Sequence, residues 1–271
     1  MFANPLARAE IWDQVADGYA EFAPAIMQPF SARALEFAAP TPDSRIVDVA
    51  AGTGVLSLLA APEVAEVQAV DFSAAMVERL DKAASAAGLS NITAQVGDGQ
   101  ALPYADERFD AAFSMFGLMF FPRRAKGFAE MFRVLRPGGV AVVSSWAPVL
   151  ESPLMRMLFG ACHAADPAVH EPNPNYLSLE NPEVFESEMR AAGFAAISIQ
   201  RHSTALTFPD GAAMFDTLVR SSAPMRVLRR DLGERRWAER TEVMRAYLLE
   251  NYRPHHPLST TALMGVGHRR E

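Results

Sequence analysis

The run Val47-Asp48-Val49-Ala50-Ala51-Gly52-Thr53-Gly54 constrains this chain more than any other. An apolar strand over 45–50 runs straight into a glycine-rich turn. Such a turn lets the backbone approach a ligand closely, with the N–H groups of the next helix pointing at it. Around it, residues 45–147 alternate short apolar runs with amphipathic segments, the pattern of a parallel α/β sheet. Further strands are predicted at 67–71, 91–96 and 109–116. Ser73 caps a helix with Met76, Leu80, Ala83 and Ala87 on one stripe, closed by Gly88. Phe128, Met131, Phe132 and Leu135, spaced i, i+3, i+4, i+7, predict a helix lying on the sheet. Pro137-Gly138-Gly139 ends that helix and leads into a fifth strand at 140–146.

Beyond 147 the pattern loosens. Pro148, Pro153, Pro167, Pro172, Pro174 and Pro182 surround one predicted helix at 153–165. Leu154, Leu158, Ala161 and Ala165 form one apolar stripe on it, and Met155, Phe159 and Cys162 form another, so it is expected to be sandwiched between two surfaces. Asn181 as cap, Pro182 at the first helical position and Gly193 at the end frame a further helix. A sixth strand is predicted at 196–206, helical segments at about 210–230 and 235–251, and a last strand at 260–268. The expected organisation is one domain over 1–271. It comprises covering helices in 1–40, a core over 41–147, and lid insertions at 148–180 and 207–255.

The bulk properties exclude several classes. With 271 residues, half of them apolar, a full hydrophobic core is available. No apolar run approaches the ~18 residues of a membrane span, and no secretory signal is read at the N-terminus. A single cysteine, Cys162, excludes an internal disulfide and suits a reducing compartment, so a cytoplasmic location is expected. Net charge is −7, and the arginines of 226–240 are interleaved with Asp231, Glu234 and Glu239. That is the pattern of a solvated helix face; a nucleic-acid partner is not expected, since phosphate binding needs concentrated positive charge. His255-His256 lies in a proline-bounded turn without accompanying acids or cysteines, so no metal site is expected.

Three acidic positions give the turn its chemistry. Asp48 lies inside the strand, where a buried carboxylate is costly unless it accepts hydrogen bonds. A pyrophosphate would be repelled there, whereas an aminoacyl group bearing an ammonium would be welcomed. Asp71 ends the second strand, where it can accept both hydroxyls of a ribose. Gly97-Asp98-Gly99-Gln100 ends the third, where a carboxylate or amide could meet an adenine amino group. All three stand at the carboxyl ends of adjacent strands, where open α/β sheets bind ligands.

These residues, together with Ala101-Leu102-Pro103-Tyr104, Phe109-Asp110-Ala111-Ala112 and Leu135-Arg136-Pro137-Gly138-Gly139, resemble the ordered motifs of class I S-adenosylmethionine-dependent methyltransferases. The closest flavour resembles the ubiquinone/menaquinone C-methyltransferases, over roughly 8–147. The resemblance implies a Rossmann-like seven-stranded, mostly parallel sheet with its last strand antiparallel and helices on both faces. It implies S-adenosyl-L-methionine as cofactor. The residues expected to hold it are Tyr19, Asp48, Ala50, Gly52, Thr53, Gly54, Asp71, Phe72, Met76, Asp98, Gly99, Gln100 and Phe116. An N-terminal helix carrying Trp12 and Tyr19 is expected to fold over the cofactor. Ala50 stands where the family often has glycine, at an expected cost of no more than slightly tighter packing.

No motif names the methyl acceptor. Met119, Met155, Phe159 and Tyr176 are expected to line its pocket, with the lid suggesting a small apolar or aromatic metabolite. His163, then His202, is the candidate base, needed only if the nucleophile carries a proton that must leave. Two rival readings stand beside the enzyme: a binding subunit without turnover, and a nicotinamide-dependent oxidoreductase. The missing third glycine and Asp48 count against the latter.

Overall fold

The first strand, β1 (Arg45–Val49), is buried over its last four residues because helices cover both faces of the sheet. In this computed structural model, which describes residues 4–169, 175 and 177–270, the chain continues through α3 (Val55–Ala60), β2 (Glu66–Asp71), α4 (Ala74–Ala86), β3 (Ile92–Val96) and β4 (Phe109–Met115). Next come α5 (Arg124–Val134), β5 (Leu135–Trp146), α6 (Pro153–Ala165), α7 (Pro182–Ala191), β6 (Ala195–Leu206), α8 (Gly211–Ser221), α9 (Ala223–Asn251) and β7 (Leu258–His268). Two helices, α1 (Ala9–Asp13) and α2 (Ala16–Ala38), precede them all. One seven-stranded sheet has the order β3-β2-β1-β4-β5-β7-β6, with β7 antiparallel to both its neighbours. Among the described residues no helix is long and apolar enough to cross a membrane.

This order places the site. The chain leaves β1 towards β2 on one side and returns to β4 on the other, so a crevice opens at the strands' carboxyl ends between β1 and β4. Below it the sheet is packed on both faces. Phe128, Met131, Phe185 and Met189 fill one side; Phe30, Leu56 and Phe113 fill the other. All seven are essentially inaccessible to solvent.

The turn after β1 is built on positive φ. Ala50 (φ 58°), Gly52 (55°) and Gly54 (82°) all adopt it. For Ala50 this corrects the expectation of slightly tighter packing: a left-handed alanine carries a backbone cost of about 1–2 kcal/mol. Gly54 precedes α3, and a Cβ on it would lie 2.1 Å from Leu80 Cδ1 of α4. Gly54→Ala is therefore expected to lower stability by about 2 kcal/mol, combining left-handed strain with overpacking. A urea midpoint equal to the parent's would show that Leu80 and the turn adapt freely.

Two boundaries differ from the sequence reading. The segment expected as one helix over 210–230 divides at Ser222, whose backbone is extended and whose side chain caps α9 ahead of Pro224. Gly233, with φ 72° and ψ 162°, interrupts α9 in the gap expected between 230 and 235. The fifth strand starts at Leu135 rather than at 140, because Arg136-Pro137-Gly138-Gly139 is drawn into the ladder through an irregular register opposite Phe109 and Ala111.

Candidate functional site

A cavity of about 310 Å³ lies in the crevice. Ala50 and Gly52 reach it from the β1 turn, Asp71 and Phe72 from the end of β2, Met76 from α4, and Asp98, Gly99 and Gln100 from the end of β3. Phe116 enters from the end of β4, and Tyr19 and Trp12 close it from the N-terminal helices. Asp48 and Thr53 line instead a smaller cavity of about 20 Å³, which shares Tyr19, Ala50 and Met115 with the larger one. Gly54 lines neither; its place is under Leu80.

Each carboxylate is held locally. Asp71 Oδ2 accepts the Gly52 N–H at 2.8 Å and its Oδ1 the Ser73 N–H at 2.9 Å, tying the two ligand-facing turns together. Burial pushes Asp71 up to about 6; those amides oppose the shift and the Asp13 carboxylate adds to it. Asp48 Oδ2 accepts from Ser57 Oγ at 2.7 Å. Burial pushes Asp48 up to about 7, against the Ser57 hydrogen bond and with help from the charge of Asp71. Burial, then Asp71, raises the Tyr19 phenol. Asp98 Oδ1 accepts from the Gln100 N–H (2.8 Å) and from its Nε2 (3.0 Å), while Gln100 Oε1 accepts the Arg123 N–H.

The roof is latched through a residue that sequence reasoning missed. Asp13, next to Trp12, accepts from Ser73 Oγ at 2.5 Å and from the Ala75 N–H at 3.2 Å, pinning α1 to the start of α4. Asp17 adds an ion pair with Arg79 of α4. Trp12 Nε1 donates to Leu6 O (2.9 Å), and the indole leans on Phe120 with centroids 5.5 Å apart. Leu6, Phe120, Phe121 and Pro122 also line the cavity and were missed. Only the apolar run at 116–121 hinted at two of them. Phe116 itself is strained, with φ 59°, its N–H held by Ser144 Oγ at 2.9 Å. Beside it Gly117 has no room for a side chain: a Cβ would lie 2.3 Å from the Ala50 Cβ.

The expected acceptor pocket is not assembled around this cavity. Met119 packs between the two faces of the core, its Sδ 3.7 Å from Ser145 Oγ. Phe159 and His163 line a separate cavity of about 490 Å³ with Arg156 and Tyr247, which shares no lining residue with the first. Met155 lines neither, and Tyr176 lies outside the described residues. The cause is how α6 docks: Leu154 and Ala161 pack into a cluster with Met244 and Leu248 of α9 and Leu258 of β7, turning the second stripe away from the crevice. Nor do α8 and α9 roof the cavity directly. Ala223 and Val227 pack on Ile11, Val15 and Ala16, and a Cβ on Gly18 would sit 2.3 Å from Arg220 O, so these helices brace the N-terminal cover from behind. His163 is exposed, its Nδ1 2.7 Å from Val169 O. His202 stacks edge-on against Phe30 at 5.5 Å and lines neither large cavity. His163→Ala is accordingly expected to leave ligand affinity and turnover at the crevice unchanged. Loss of turnover at saturating ligand would restore it as a base.

Residues 46–139 match the methyltransferase domain family. Over these residues, about a third of the chain, the protein is similar to that methyltransferase domain family. An uncharacterized protein of Mycobacterium bovis is 38% identical to it over 128 residues, 47% of this chain and 46% of that protein. The ubiquinone/menaquinone biosynthesis C-methyltransferase of Geotalea daltonii is 36% identical over 118 residues, 42% and 49% of the two chains. The chain thus spans about half the length of the curated relatives it matches. The crystal structure of the YcgJ protein of Bacillus subtilis shares the fold, with a TM-score of 0.60 at 22% identity over 89% of this chain and 98% of that one.

S-adenosylmethionine is the cofactor that this similarity implies, and the residues present fit it. Its sulfonium and ammonium are cationic. Among the described residues the titratable groups lining both adjoining cavities are Asp48, Asp71, Asp98 and Tyr19, with no lysine, arginine or histidine. Gly52 leaves the floor bare, the nearest side-chain atom to a Cβ there being Tyr19 Cε1 at 3.7 Å.

Proposed function

We propose that this protein transfers a methyl group from S-adenosylmethionine to a small, uncharged apolar or aromatic acceptor. The observation that carries this is the cavity wall. Asp71 and Asp98 line the larger cavity together with Trp12, Phe116, Phe120 and Phe121, and Asp48 lines the smaller; among the described residues no cation lines either to attract an anionic acceptor. Bound S-adenosylmethionine supplies an electrophilic methyl group. The chain's own residues supply position and dryness. Asp71 and Asp98 stand ready to orient a nucleoside, and the latched α1 and the aromatic wall exclude water. Holding reactants about 3–3.5 Å apart in such a site can account for much of a rate enhancement.

No general base is assigned. The Tyr19 phenol is raised by burial and is a poor base near neutrality. This favours acceptors whose nucleophilic atom needs no deprotonation before attack, such as an electron-rich ring carbon. The name of the Geotalea daltonii relative, a C-methyltransferase of quinone biosynthesis, points the same way. A small molecule suits a site lined by carboxylates and aromatic rings better than a polyanionic nucleic acid does. The test is calorimetry with S-adenosylhomocysteine and NAD, followed by turnover across phenols, quinols and amines. Binding of S-adenosylhomocysteine but not NAD, with methylation of a ring-bearing acceptor, is expected. Binding without turnover across the whole panel would favour a subunit that holds the cofactor without using it, and NAD binding would refute the cofactor assignment.

A further inference from the structure

The cavity of about 20 Å³ beside the main one holds a polar group that nothing described so far employs. Ser31, in the middle of α2, lines it opposite Asp48; it is 1% exposed, as is Asp48, and its Oγ has no hydrogen-bond partner. Three other hydroxyls on helices, buried or half-buried, bond back to the carbonyl four residues earlier (Thr217 to Ala213, Ser221 to Thr217, Thr241 to Trp237), and the buried Ser57 donates to Asp48. Ser31 does neither, and leaving a buried hydroxyl unpaired is unfavourable. Size and charge narrow what could pair with it. A volume of about 20 Å³ exceeds the roughly 10–15 Å³ that one water-sized group needs and leaves little over. An ammonium fits that space; a carboxylate is larger and would face Asp48.

We propose that Ser31 is a specificity residue for the cofactor's amino-acid end, its Oγ accepting a hydrogen bond from the α-ammonium that Asp48 neutralises. This rests on the S-adenosylmethionine reading above. The small cavity adjoins the large one, sharing Tyr19, Ala50 and Met115 as lining, so it lies where the amino-acid tail of a nucleoside seated on Asp71 would be directed. The residue is then kept for a ligand and not for the fold, which separates it from an ordinary packing serine.

Calorimetry on the full chain tests this with two ligands, S-adenosylhomocysteine and 5′-methylthioadenosine, which keeps the nucleoside and lacks the amino-acid tail. The parent is expected to bind S-adenosylhomocysteine at least tenfold more tightly. Ser31→Ala should weaken S-adenosylhomocysteine about five- to tenfold and leave 5′-methylthioadenosine within twofold, with the ligand-free melting temperature unchanged or slightly higher. Ser31→Val, which fills the space, should cost S-adenosylhomocysteine more while still sparing the truncated ligand. The proposal is overturned if Ser31→Ala weakens both ligands alike or neither, or if the parent fails to distinguish them. A parent that binds neither ligand overturns the cofactor reading itself, and the two failures are therefore distinguishable.

Discussion

Asp71→Ala is expected to weaken S-adenosylhomocysteine binding by about 1–3 kcal/mol, roughly five- to 150-fold, and to destabilise the ligand-free protein as well. The binding loss follows from removing a charged acceptor at the end of β2, where a ribose would present two hydroxyls. The stability loss follows from the geometry: this carboxylate accepts the N–H groups of both Gly52 and Ser73, one oxygen each. Without it two amides beside the cavity lose their partner and the glycine turn loses its tether to β2. Asp71→Asn keeps one carbonyl acceptor and should lie between the two in both measurements. Calorimetry gives the first quantity and urea unfolding the second. Parent-like affinity in Asp71→Ala would remove the ribose assignment, and parent-like stability would show that the two turns hold themselves.

The second large effect is on pH dependence, and it centres on Asp48. Its folded-state pKa lies near 7, well above the ordinary value of 3.8. A carboxyl with a raised folded pKa binds its proton more tightly in the native state. Its contribution is therefore fully present below about 4 and is lost as pH rises to about 7. The loss for a shift of this size is on the order of 4 kcal/mol. Burial sustains it first, helped by the charge of Asp71 from β2, itself raised to about 6 beside Asp13, and opposed by the hydrogen bond from Ser57 of α3; the neutral Tyr19 of α2 lines the same small cavity. The ligand-free protein is expected to lose stability between about pH 4 and 7, and Asp48→Asn should flatten that slope. A cationic ligand beside Asp48 relieves the same cost, so the rise in melting temperature given by S-adenosylhomocysteine should be larger at pH 8 than at pH 5.5. Stability that climbs or stays level across this interval in the parent would contradict the assignment.

Much of the site was legible because its signals are local. The β1 strand, the glycine turn and the cap at Ser73 depend on neighbours within a few residues, and Asp48, Asp71 and Asp98 follow once the strand ends are known. Ala50 shows the limit of that reading. Its identity suggested a packing variant, whereas its φ of 58° shows a strained backbone set by the turn. The helix break at Gly233 was legible by contrast, since it falls in the gap expected between 230 and 235.

The acceptor side was misread because nothing local says which surface a helix meets. The two stripes of α6 do predict two different environments. Which stripe is buried was decided by its docking on α9 and β7, through residues about 90 positions apart in sequence. The same holds for Asp13, a carboxylate on a short helix until α4 arrives beneath it, 60 residues on.

By itself, then, the sequence determined the order of strands and helices, the glycine turn and the identity of the three strand-end acids, since periodicity and turn chemistry act between residues near in the chain. Only the tertiary structure decided that Asp13 latches the N-terminal cover to α4, that α8 and α9 merely brace that cover, and that His163 and Phe159 face another space. It alone left the Ser31 hydroxyl without a partner opposite Asp48. Burial and unmet hydrogen bonds are properties of whole surfaces brought together, and no window of sequence contains them.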